Sequence, residues 1–263
     1  MQTARYRYTR TMRLAHWIWA VAFAVLVSSG LQIFNAAPYL DASDASNPAR
    51  RVLAIDSPRD GVGTTTIFGK TFVTTGWLGW TDDGLGGQGA RAFPGWLTIP
   101  SYQDLADGRR WHLFFAWVAA ICWFAWLVSS AVKGNLHKMI LSRSDLRKLW
   151  PMQAYYLRLR KTPPAYGEYN PLQKAAYTLV ALVIAPLVVL TGLALSPGID
   201  AIAHPLTLLF GGRQFARLWH FAGMLALLAF FIVHVVAVAT QGAVNQMRSM
   251  ITGWFDGPSV PSA

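Results

Sequence analysis

The chain has 263 residues, of which 54% are hydrophobic and only 13% charged, with a formal net charge of +11 and one cysteine. Soluble domains of this length carry about 25% charged residues, so the composition excludes an ordinary cytosolic globule. A lone cysteine excludes an intramolecular disulfide, and no C-x-x-C-H haem-attachment motif is present.

In chain order, four apolar stretches stand out: 14–34, 111–132, 172–195 and 218–240, with at most one charge apiece, Lys174 near an end. A helix of about 20 apolar residues crosses about 30 Å of hydrocarbon, and lipid offers backbone polar groups no other partner. The sequence therefore predicts an all-α integral membrane protein, a single membrane domain over 1–263 built as a bundle of four transmembrane helices. The first stretch exceeds the roughly 7–15 apolar residues of a signal peptide and reads as a retained helix. Between helices 1 and 2 lies a long loop, 35–110. Within it, 64–69 and 71–75 predict a short hairpin, and 82–84 and 93–96 predict turns. After helix 2 comes a second loop, 133–171, in which 146–160 mixes Trp, Tyr and Leu with Arg and Lys, as a helix lying at the interface does. Residues 199–210 read the same way.

Charge alternates along these segments. The tail before helix 1 carries +4 and the loop 35–110 carries −1; residues 133–174 carry +7, the next connection +1 and the final tail zero. Lysine and arginine excess marks the cytoplasmic side. The expected topology has both termini and 133–171 in the cytoplasm, with 35–110 and 196–216 outside. The positive charge is then a topology signal and calls for no nucleic acid partner.

One motif, Arg-x-x-His, recurs at the start of three helices: Arg13 to His16, Arg109 to His112 and Arg217 to His220. A further histidine, His234, lies deep in helix 4. Ionisable residues within membrane segments mark function by default, although a single one can also be a hydrogen-bonded core residue. Their register is informative. His220 and His234 are 14 residues apart, about 21 Å of rise and about 40° short of four full turns, so both face one side of helix 4. With the alternating helix directions, His112 reaches the depth of His220, and His16 that of His234. Two imidazoles at one depth can supply both axial ligands of a haem iron, whereas a structural zinc gathers four ligands together. The arginines one turn before three of the histidines could pair with haem propionates. Lipid-interface anchoring is the alternative, and it suits Arg13 better than Arg109 or Arg217. Gly30, Gly192 and Gly223 leave the helix faces bare at the outer depth, either for a porphyrin or for close helix packing. His137 and His204 lie in loops and read as ordinary solvated residues.

The layout Arg-Leu-Ala-His-Trp on helix 1, Arg-Arg-Trp-His on helix 2 and His220/His234 on helix 4 resembles the prokaryotic di-haem cytochrome b (cytochrome b561-like) family. That family includes the b-type cytochromes of nickel-iron hydrogenases and the gamma subunit of formate dehydrogenase. The resemblance implies two haem b groups, an inner one on His16/His234 and an outer one on His112/His220. It also implies a quinone site at the start of helix 3, where Tyr169-Asn170-Pro171-Leu172-Gln173-Lys174 is similar to the family motif. Asn170 would hydrogen-bond a quinone oxygen, with Gln173 or Lys174 assisting; the same residues also suit a helix cap. The long insert before helix 2 departs from the hydrogenase pattern and looks more like cytochromes paired with periplasmic molybdopterin oxidoreductases.

The expected protein is thus a cytochrome of the bacterial inner membrane that moves electrons between a periplasmic redox subunit and the quinone pool, with its redox chemistry supplied by the cofactor. Two other functions are compatible with parts of the pattern. One is a stand-alone quinone reductase or superoxide-oxidising cytochrome. The other is a colourless anchor or transporter, against which stands the scarcity of broken helices: Pro186 is the only such break.

Overall fold

Among the described residues of the structure, a computed structural model, four helical runs are long and apolar enough to cross a membrane: Arg10–Phe34, Leu105–Val132, Pro171–Leu195 and Arg213–Thr240. Residues 4–167, 169–240 and 242–256 are described. In chain order the elements are β1 (Ala4–Tyr6), α1 (Arg10–Phe34), β2 (Tyr39–Asp41), β3 (Arg51–Arg59), β4 (Val62–Ile67), β5 (Lys70–Val73), β6 (Gly79–Asp82), β7 (Gln88–Arg91) and α2 (Leu105–Val132). There follow α3 (Leu136–Met139), α4 (Arg143–Tyr156), α5 (Pro171–Ala176), a π-helical run (Tyr177–Ile184), α6 (Ala185–Leu195), α7 (Pro197–Leu209), α8 (Arg213–Thr240), α9 (Ala243–Thr252) and β8 (Trp254–Asp256).

All four spans begin before the apolar stretches that announce them, and polar caps start three of them. The Thr9 hydroxyl accepts the Met12 amide at 3.3 Å, and Asp104 accepts the Asp107 amide at 2.9 Å. Asn170 accepts the Gln173 amide at 2.9 Å while Gln173 accepts the Asn170 amide at 3.0 Å, a reciprocal capping box with Pro171 at the first helical position. The π-helical run ends two residues before Pro186, whose ring crowds the preceding turn and whose nitrogen donates nothing. The Trp123 indole donates to the loosened Ala181 carbonyl at 2.8 Å.

The chain divides into two compact units. One comprises Trp17–Ala120 and Leu187–Met224. Here the segment read as a long loop is a folded β layer. Strands β2, β3, β4 and β5 form a four-stranded antiparallel sheet in sequence order, and β6 pairs with β7. The expected hairpin is present as β4–β5, turning through Phe68 and Gly69, both at positive φ. Phe34, Leu40, Ile55 and Ala92 make its apolar centre, with Leu218 and Phe221 packed against it. Its polar pin is Arg91, which is 4% exposed. The guanidinium donates to Gln32 Oε1 at 2.7 Å, to Thr98 Oγ1 at 2.6 Å and to the carbonyls of Asp83 and Ser101 at 2.8 and 2.5 Å. Gln32 and Asn35 lie at the end of α1, so the layer is stitched to the first span; Asn35 and Phe93 exchange further bonds across it. Burial pushes the fully enclosed Asp41 carboxyl up, but the Asn47 amide and Arg51, whose Nε donates at 3.1 Å, hold it below the usual carboxylate range.

The other unit comprises Met1–His16, Ile121–Pro186 and Leu225–Ala263. Within it β1 and β8 pair antiparallel, Ala4 opposite Asp256. The interfacial helix expected at 146–160 is α4, which starts at Ser142 through a capping box with Asp145. Asp145 is buried and pairs with Lys174 Nζ at 3.0 Å. The second expected interfacial helix, 199–210, is α7, kinked at Ala203.

Candidate functional site

The four histidines meet as two pairs. His112 and His220, on α2 and α8, have ring centroids 6.1 Å apart with planes at 68°. His16 and His234, on α1 and α8, are 6.4 Å apart at 50°. A metal–imidazole bond of about 2.1 Å, added to about 1.1 Å from ring nitrogen to ring centre, puts two axial imidazoles about 6 Å apart across one iron. Both pairs have that spacing, so the residues present fit a bis-histidine haem.

The first pair is also prepared at its far nitrogens. His112 Nδ1 lies 3.2 Å from the Leu26 carbonyl and 3.1 Å from Ser29 Oγ. His220 Nδ1 lies 3.0 Å from the Val188 carbonyl and 3.0 Å from Thr191 Oγ1. A carbonyl oxygen only accepts, so the proton of each neutral ring is assigned to Nδ1 and the lone pair to Nε2. That is the tautomer a metal-ligating histidine needs, held by the outer partners that such ligands commonly have. In the second pair the aromatic ring of Phe230 stacks near His234, with centroids 5.8 Å apart.

The glycines have definite neighbours. A Cβ on Gly30 would stand 3.3 Å from His112 Cε1, and one on Gly192 would stand 3.2 Å from His220 Cε1. Each bare glycine is therefore a place for an imidazole ring. Gly223 is different: a Cβ there would meet Val188 Cγ2 at 2.5 Å, a helix-packing contact.

Of the three arginines, Arg13 donates from Nη1 to the Ile251 carbonyl, and its buried Nε has no hydrogen-bond partner among the described residues. Arg217 donates to the Ala37 carbonyl and lies over the rings of Phe34 and Tyr39, both at 5.3 Å. Arg109 is exposed. Asn170, Gln173 and Lys174 are brought together, and all are engaged within the protein. Asn170 and Gln173 cap α5, Asn170 Nδ2 donates to Tyr156 Oη at 3.2 Å, and Lys174 pairs with Asp145. His204 pairs with Asp200 at 2.9 Å and is exposed, as is His137.

Sequence reasoning missed Ser29 and Thr191. The available signal was a hydroxyl residue followed by glycine, Ser29-Gly30 and Thr191-Gly192, at two places in otherwise apolar helices.

Known proteins resemble the chain over most of its length. The family model for prokaryotic cytochrome b561 matches residues 7–253. A YedZ1 protein of Azospira oryzae, provisionally named as a protein-methionine-sulfoxide reductase subunit, is 30% identical over 87% of each chain. Proteins of Azotobacter vinelandii and Azotobacter chroococcum, each named as a probable Ni/Fe-hydrogenase B-type cytochrome subunit, are 34% and 30% identical over 41% of this chain and 49% of theirs. With four membrane-length helices, paired histidines and a family match over nearly its whole length, the chain belongs to the prokaryotic cytochrome b561 family, membrane electron-transport proteins built around b-type haem.

Proposed function

We propose that this protein holds two b haems, one on His112/His220 and one on His16/His234, and carries electrons between an extramembrane redox subunit and the quinone pool. The observation that carries this reading is the matching ring separation of the two histidine pairs, 6.1 and 6.4 Å. When bound, haem iron supplies the one-electron redox couple. The chain's own residues do the rest. The imidazoles present Nε2 lone pairs, Ser29 and Thr191 hold two of those rings in place, and apolar helix surface excludes water. Arg13, Arg109 and Arg217, one turn from three ligands, supply positive charge for propionates. The buried Nε of Arg13 leaves a donor available for that role.

The relatives named as reductase and hydrogenase subunits support a partner oxidoreductase, in line with the molybdopterin class that the insert before α2 suggests. The β layer of residues 35–104 is the surface offered to it, on the periplasmic side according to the alternation of charge. A quinone is placed at the Asn170 corner, where Tyr156 Oη already bonds Asn170. There Asn170, Gln173 and Lys174 keep the helix start in shape, and Asn170 remains the candidate to hydrogen-bond the quinone. Spectral redox titration of His112→Ala and His16→Ala tests the assignment. Each variant should lose one haem component and keep the other. Loss of neither would contradict it, and a quinol-driven reduction step unaffected by Asn170→Leu would move the quinone elsewhere.

A further inference from the structure

The surroundings of His112 and His220 repeat each other more closely than ligand binding alone requires. On α1, Ser29 donates its hydroxyl proton to the Val25 carbonyl four residues back at 2.6 Å; on α6, Thr191 does so to Leu187 at 2.7 Å. In both, the carbonyl three residues before the hydroxyl, Leu26 or Val188, receives the histidine Nδ1 proton, and the hydroxyl oxygen stands within 3.1 Å of the same nitrogen. In both, the next residue is the glycine against histidine Cε1. Ser29 and Thr191 are each 0% exposed. Back-bonding by serine or threonine is common in helices and satisfies the hydroxyl by itself. What it does not explain is that the remaining lone pair of each is aimed at an imidazole from a different span.

We infer that Ser29-Gly30 and Thr191-Gly192 are a matched pair of imidazole seats, in which the buried hydroxyl is a positioning residue that fixes ring orientation and strengthens Nε2 as a donor. The inference rests on reading His112 and His220 as axial ligands. The glycine admits the ring against the helix backbone. The carbonyl and hydroxyl share the Nδ1 proton, which gives the imidazole more anionic character and raises its basicity toward a metal. A stronger donor favours the ferric over the ferrous state, so the seats lower the reduction potential of this site, and two opposed seats set the 68° angle between the rings.

The test uses the full-length haem-loaded protein with Ser29→Ala, Thr191→Val and the double variant, alongside the conservative Ser29→Thr and Thr191→Ser. Two quantities are read on the component that His112→Ala removes: its midpoint potential and the g values of its low-spin ferric signal. The double variant should shift the ferric–ferrous equilibrium of that component about tenfold toward ferrous, about 59 mV upward for one electron, and alter its g values. The component that His16→Ala removes should not move, and the conservative variants should match the parent. Unchanged potential and g values in a fully loaded double variant would overturn the seats, as would equal shifts at both sites. If the double variant instead loses this haem, recovery in the two conservative variants supports the seats and non-recovery overturns them. If His112→Ala retains both components, the ligand assignment itself fails, a result distinct from failure of the seats.

Discussion

The two units solve the same geometric problem with different supports. In the unit of Trp17–Ala120 and Leu187–Met224, the histidine pair sits among buried hydroxyls, facing carbonyls and glycines, and the same unit carries a β layer pinned through the buried Arg91. In the other unit, the His16/His234 pair has nearly the same spacing, with Phe230 stacked near His234, and the unit is closed by the β1–β8 pairing and the capped start of α5. Ring spacing follows from helix placement in both. The groups around the far ring nitrogen are a separate property, present at the His112/His220 pair. The comparison teaches that two histidine pairs of one spacing have different surroundings, and under the proposed reading those surroundings give the two haems different redox properties.

The strongest way to break this comparison is to remove ligands one at a time. His220→Ala should abolish the haem component shared with His112→Ala, while His234→Ala should abolish the one shared with His16→Ala, read as haem content and optical spectrum. If all four variants lose the same component, the two-site picture fails. Next in size is Arg91→Met. It leaves buried Gln32 and Thr98, and the carbonyls of Asp83 and Ser101, without their donor, at a cost of about 3 kcal/mol. Limited proteolysis should then cut the β layer while the His16/His234 component keeps its spectrum; equal loss of both would show that the units do not behave separately.

Smaller still is Gly192→Val. A Cβ there would stand 3.2 Å from His220 Cε1, and valine's two methyl groups force the ring aside at about 2 kcal/mol. Gly223→Ala meets Val188 instead and should lower thermal stability without changing the ferric signal of either site. The mildest effect is one of pH. The Ser142 hydroxyl, then Lys174, hold the Asp145 carboxyl down to about 2, against an ordinary value of about 3.9. A carboxyl lowered on folding contributes its stability above its unfolded value and loses it as pH falls through the window from about 4 to about 2. Asp145→Asn should flatten acid sensitivity in that window; an unchanged profile would mean that this ion pair contributes little.

The membrane spans were legible in the sequence because hydrocarbon imposes a length and a composition that few other constraints imitate. The histidine pairing was legible because 14 residues on one helix nearly complete four turns. Much of the β layer was not. The hairpin β4–β5 announces itself through threonines, valine and a glycine turn, but β6 and β7 carry Gly79, Gly89 and Gln88, which have little intrinsic strand preference. They are strands because Arg91 and Thr81 are buried there among partners that local sequence does not reveal. Helix starts were displaced for a similar reason, since Thr9, Asp104 and Asn170 begin helices upstream of the apolar residues. The hydroxyl–glycine seats were hidden because each looks locally like ordinary small-residue packing, and only the opposing histidine gives them meaning.

The central claim is that one chain binds two haems through four histidines. It is tested most directly by pyridine haemochrome quantification against protein concentration on the purified, fully folded protein. The account predicts two b haems per chain, both low-spin in the ferric state. One haem per chain, or none, in folded protein would contradict it.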